Sequence, residues 1–116
     1  MTRRVTIREP KPWEQSIGDL VYQGRVRLNL TQEELGASVR VAQKQISHIE
    51  RNQGQGIKEI SLSKFVRVFE ALGYDADLAY YKAGQLPPDV MDILSANWKL
   101  YQGVVSAARS VKGEGT

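Results

Sequence analysis

The chain has 116 residues, of which 41% are hydrophobic and 25% charged, a size and balance that fit one soluble domain with room for one appended element. It contains no cysteine, which excludes both a disulfide framework and a thiolate metal site. The net charge is +3, and its location is more informative than its size. Residues 1–12 hold Arg3, Arg4, Arg8 and Lys11 against Glu9, so the whole excess lies in the first twelve residues and the remainder sums to zero. A basic arm on a neutral body is either an electrostatic tether for a polyanion or a solvated tail. No run approaches the roughly 20 apolar residues of a membrane span. The N-terminus, TRRVTIREPKPW, has no apolar core for a signal peptide, and the expectation is a cytoplasmic protein.

After Pro10 and Pro12, Trp13, Ile17, Leu20, Val21 and Leu28 fall near helical spacing, predicting a helix over 13–28. Asn29 tolerates the left-handed conformation and can stop it. Gly24, inside the helix, weakens it by about 1 kcal/mol relative to Ala. Thr31 opens the next helix as an N-cap, with Glu34 placed for the reciprocal capping box. That helix closes at Val39, the chain turns through Arg40 and Val41, and a third helix runs from about Ala42 to Arg51 with Ile46 and Ile49 inward. Asn52 to Gly56 is a loop by composition. A further turn is expected at 58–60.

Ser61 caps a helix in which Leu62, Phe65, Val66, Phe69 and Leu72 repeat at helical spacing, and Gly73 stops it. YDADLAYYK then alternates, with Leu78 and Tyr80 on one side, and reads as a short strand over 76–82. A lone strand needs a partner for its backbone. Pro87-Pro88 marks a boundary. From Asp89 a last helix carries Val90, Ile93, Leu94, Asn97, Trp98, Tyr101 and Val105 as a stripe, and the segment after Ala108 is expected to be disordered.

Two short helices joined by so tight a turn can bury their inner faces only against each other and against flanking helices, the helix-turn-helix arrangement. LTQEELGASVRVAQKQISHIERN resembles the XRE family of Cro- and repressor-type helix-turn-helix proteins, over roughly residues 17–81. The resemblance implies a mainly α, lambda-repressor-like bundle of four to five helices, here with a short C-terminal strand and an appended helix. The divisions expected are an arm at 1–12, the helix-turn-helix domain at 13–86 and a C-terminal helix and tail at 87–116.

In that family a small residue is preferred where Gly36 stands, because the recognition helix crosses closely there. Arg40 departs from the pattern, since the turn usually carries Gly in a left-handed conformation. Gly24 departs too, replacing a core Leu and leaving a gap for a neighbouring side chain, possibly an aromatic. Arg25 and Glu50 match a pair that joins the first helix to the end of the recognition helix; the bland alternative is two ordinary surface charges. Family positions that read bases correspond to Ala42, Gln43, Lys44 and His48. Gln can bond adenine bidentately, Lys can donate to guanine and Ala can pack on a thymine methyl. Gln32 corresponds to the start of the second helix, where a phosphate lies against backbone amides. Arg40, Gln45, Ser47, Arg51 and Asn52 are further candidates for phosphate contact, with the arm residues Arg3, Arg4, Arg8 and Lys11 behind them. The same face could instead be an ordinary solvated one.

The helices followed by LSKFVRVFEALGYDADLAYYK resemble the antitoxins that partner HipA-type kinases, which dimerise partly through a strand at this place. That implies a homodimer paired through Leu78 and Tyr80 on a palindromic double-stranded operator, and a toxin of HipA-like kinase type as a further partner. The strand could instead fold back on residues 5–7. The last helix, with Leu94, Trp98 and Tyr101, either packs within the molecule or binds a partner. His48 is the one histidine and no Ser or Cys nucleophile is arranged with it, so no catalytic residue, metal or cofactor is expected. The reading is a sequence-specific repressor, most like an antitoxin that represses its own operon. The alternatives are a stand-alone phage-type or restriction-controller regulator, and a protein-interaction adaptor that does not bind DNA.

Overall fold

Ser16, not Trp13, starts the first α-helix. In the computed structural model, which describes residues 10–51 and 60–114, Pro12–Glu14 form one 3-10 turn and the chain is extended at Gln15. The Ser16 hydroxyl then accepts a bond from the Asp19 amide, and α1 runs Ile17–Arg27. The expected helix over 13–28 is thus shorter at its N-terminal end, because the Ser16 cap fixes an entry that spacing alone does not reveal. Asn29 ends α1 with φ 56°, the left-handed stop.

Helix α2 is Gln32–Val39, capped reciprocally: the Thr31 hydroxyl accepts from the Glu34 amide at 3.0 Å, and Glu34 accepts from the Thr31 amide at 2.9 Å. Arg40 turns the chain at φ 60° and ψ 45°, and α3 follows over Gln43–Arg51. Helix α4 is Leu62–Ala71, capped by Ser61, and α5 is Ala76–Lys82. Asn52 and the turn expected at 58–59 lie outside the described residues; Ile60 is buried.

Helix α5 corrects the strand expected at 76–82. The Asp75 carboxylate accepts from the Asp77 amide as an N-cap, Asp77 lies in the first turn, and Lys82 in the last, all in accord with the helix dipole. Ala76, Ala79, Tyr80 and Ala83 have the i, i+3, i+4, i+7 spacing and pack on the core, with Ala79 fully buried. A helix satisfies its own backbone, so the partner that a strand would require is not needed. Leu78 and Tyr80 are half-buried against the core of their own chain, and strand pairing through them is withdrawn. The fold-back on residues 5–7 falls outside the described residues.

The core draws on every one of these helices. Leu20, Leu35, Ile46, Ile49, Phe65 and Phe69 are fully buried, and the Phe65 and Phe69 rings meet at 4.7 Å between centroids. Helix α3 packs on α1 and α2, α4 on α2 and α5, and the 3-10 turn on α5. There the Lys82 ammonium donates to the carbonyls of Trp13, at 3.0 Å, and Gln15. Burial lowers its pKa below the ordinary lysine value.

Residues 86–116 form a second unit. Its single expected helix is two: α6, Pro88–Ala96, and α7, Trp98–Glu114, broken at Asn97, whose side-chain carbonyl accepts from the Leu100 amide and so starts α7. The expected disorder after Ala108 is also corrected, since the helix continues to Glu114.

Candidate nucleic-acid interface

Two small-residue positions set how closely the helices meet. At Gly36 an added Cβ would run into the Val41 carbonyl oxygen, with the Gln43 amide nitrogen 3.5 Å away. The Val41 amide bonds to the Gly36 carbonyl at 2.8 Å, closing the turn on α2. At Gly24 an added Cβ would lie 3.1 Å from the Leu72 Cβ and 3.2 Å from the Tyr74 ring. The space left by a missing side chain is therefore taken by an aromatic. Its hydroxyl donates to the Leu20 carbonyl at 2.6 Å, and its ring packs on Phe69 and lies under the Arg27 guanidinium.

Arg25 and Glu50 meet bidentately. Arg25 Nε donates to one Glu50 oxygen at 2.7 Å and Nη2 to the other at 3.0 Å, with the two side chains only 15% and 8% exposed. Arg25 Nη1 donates to the Leu30 carbonyl at 2.9 Å, and Gln32 Nε2 to Glu50 at 3.1 Å. This network ties the end of α3 to both α1 and the start of α2. The bond to Glu50 raises the Arg25 pKa further, against the opposing effect of burial. Gln32 enters it unforeseen: its amide is used inside the protein, which leaves the capped backbone of α2 as the part that can meet a phosphate.

The far side of α3 is different in kind. Ala42, Gln43 and Lys44 are exposed in sequence at its N-terminal end, while Ile46 and Ile49 on the opposite side are buried. Ser47 and His48 are half-exposed along the helix. Gln45 is turned back, its side-chain oxygen accepting a long 3.4 Å bond from the Ala42 amide. Arg51 folds onto its own helix, Nε donating to the Ser47 carbonyl at 3.3 Å. Arg40 is exposed at the turn. Lys11 is exposed beside the 3-10 turn, and Arg3, Arg4, Arg8 and Asn52 lie outside the described residues.

Arg67 was not singled out by sequence. From α4 it donates Nε and Nη2 to the Val39 carbonyl, at 3.2 and 3.0 Å, and so caps the C-terminal end of α2. The usable signal is the missing Gly at Arg40: a helix end without its customary terminator needs a donor from elsewhere. Among the described residues no cluster of three metal-ligating side chains occurs, and no helix is long and apolar enough to cross a membrane.

A buried frame of short helices with one exposed polar edge is thus in place. The family model described as Helix-turn-helix matches residues 21–78, half of the chain and the whole of that frame. The chain belongs to the XRE-type helix-turn-helix family. Two solved structures of the clp gene regulator ClgR from Corynebacterium glutamicum are similar to this helix-turn-helix protein. One is 28% identical, covers 71% of this chain and 100% of its own, and has a TM-score of 0.45. The other is 23% identical, covers 86% and 97%, and has a TM-score of 0.46. No curated protein matches the chain. As a member of this family it is a DNA-binding transcriptional regulator, with α3 in the place of the recognition helix.

Proposed function

We propose that the protein is a sequence-specific repressor in the cytoplasm that binds a two-fold symmetric operator as a homodimer and acts by occupying the promoter, without chemistry. The observation that carries this is the exposed run Ala42, Gln43 and Lys44 on a helix whose opposite side is locked into the core. Gln43 supplies a donor and acceptor for adenine, Lys44 a donor for guanine, and Ala42 a methyl-sized contact for thymine. His48 extends the reading edge one turn further. Arg40, Ser47, Arg51 and the backbone start of α2 serve phosphates, which position the helix without reading sequence. Arg25, Glu50 and Gln32 set its tilt.

The antitoxin reading rests on a strand at 76–82, and the helix there leaves it without that support; the regulator stands without a toxin. Selection from a pool of random duplexes is the test. Enrichment of one two-fold symmetric sequence is expected, with half-sites separated by about one helical turn. Recovery of unenriched sequence would favour the adaptor alternative.

A further inference from the structure

Helix α7 has two apolar sides, and one short neighbour cannot cover both. Trp98, Tyr101 and Val105 lie on one, at steps of three and four; the Trp98 and Tyr101 rings are stacked at 5.9 Å between centroids. Leu100, Val104, Ala107 and Val111 lie on the other, at steps of four, three and four, the spacing of a helix–helix seam. Helix α6 packs on α7, yet Leu94 is the one buried large apolar side chain of this unit among the described residues. Trp98 is 68% and Val111 69% exposed, and Ile93, Leu100, Tyr101 and Val104 are close to half exposed.

We infer that residues 86–114 are a self-association module and that the occupant of the Leu100–Val111 face is the same face of a second copy. Size argues for it. A segment of about 30 residues lies below the ~40 that ordinarily form an independent core without a staple or association, and with no cysteine in the chain a disulfide staple is ruled out. Area argues for a copy rather than a small ligand. Six large apolar side chains, each about half exposed or more, present on the order of 600 Å², the top of the ~300–600 Å² range for a monomer's largest patch. With a polar rim that approaches the ~800 Å² per partner of a standard interface. Charge is compatible: Asp89 and Asp92 give α6 a charge of −2, while Lys99, Arg109 and Lys112 against Glu114 give α7 +2, so two copies meeting here attract. The inference rests on the repressor reading for its two-fold operator, but not for its test.

The test is sedimentation equilibrium of the full chain without DNA, for the parent and for Leu100→Glu/Val104→Glu. The parent is expected to be a dimer. The double variant is expected to loosen it by about 100-fold or more, since it buries like charges against each other. Its binding to a duplex holding one half-site, and the unfolding transition of α1–α5, should be unchanged. A monomeric parent, or a variant that dimerises like the parent, overturns the inference even if the DNA reading stands. If the double variant loses helix content, single cysteines decide. Val104→Cys should form an intermolecular disulfide and Ser106→Cys, on the polar side of α7, should not; no disulfide at 104 overturns the inference.

Discussion

Replacing Glu50 by Ala removes more than one ion pair. Both oxygens accept from Arg25, at 2.7 and 3.0 Å, and one also accepts from Gln32 at 3.1 Å. After the change the Arg25 guanidinium keeps its bond to the Leu30 carbonyl, but two of its donors face a site from which water is largely excluded. Breaking a fully buried pair from one side costs about 3–5 kcal/mol. Because Arg25 remains 15% exposed and keeps one bond, about 2–4 kcal/mol is the expected loss for Glu50→Ala. For a helical unit of this size that lowers Tm by roughly 10–25 °C. Denaturant unfolding of Glu50→Ala, Arg25→Met and the double variant would measure it. The double variant should be more stable than the sum of the two single losses predicts, because neither charge is then stranded. A loss below about 1 kcal/mol, the value of an exposed pair, would refute the reasoning and make the contact a surface one.

Arg40→Gly should raise stability by up to about 1 kcal/mol, since φ 60° strains any residue with a Cβ, and should weaken DNA binding if Arg40 meets a phosphate; unfolding and binding assays read the two separately. Gly36→Ala, which drives a Cβ into the Val41 carbonyl, should cost about 3 kcal/mol or more, whereas Gly24→Ala should cost about 1 kcal/mol, overpacking against Tyr74 outweighing the gain in helix propensity. The bonds from Thr31, backbone first and hydroxyl second, hold the Glu34 carboxyl below its ordinary pKa. Because the folded value is the lower one, its stabilising effect is present above the ordinary carboxylate range and is lost as pH falls through the folded value. Glu34→Gln should flatten that part of an acid unfolding curve.

The helix-turn-helix was legible because its signals are local. Thr31 with Glu34 fixes one start, Ser61 another, and the two-sided pattern of α3 separates Ile46 and Ile49 from Gln43 and Lys44. Gly24 announced a gap without naming Tyr74, since the filler comes from fifty residues away. Arg67 on Val39 and Gln32 on Glu50 are tertiary contacts with no local mark. The error at 76–82 was a choice of period. Leu78 and Tyr80 alternate, but the Asp75 cap and the Ala76, Ala79, Tyr80, Ala83 spacing outweigh two alternating residues. The break at Asn97 was missed because the apolar spacing runs unbroken through it, while a single Asn side chain both interrupts one helix and starts the next.

The central claim is that the N-terminal edge of α3 reads base sequence. The most direct measurement is the ratio of affinities for the selected operator and for an unrelated duplex of equal length, at one fixed salt concentration, for the parent and for Gln43→Ala and Lys44→Ala. Each variant is expected to lose about 1–3 kcal/mol on the operator and little on the unrelated duplex, so that the ratio falls. A ratio left at the parent value in both variants would contradict the account.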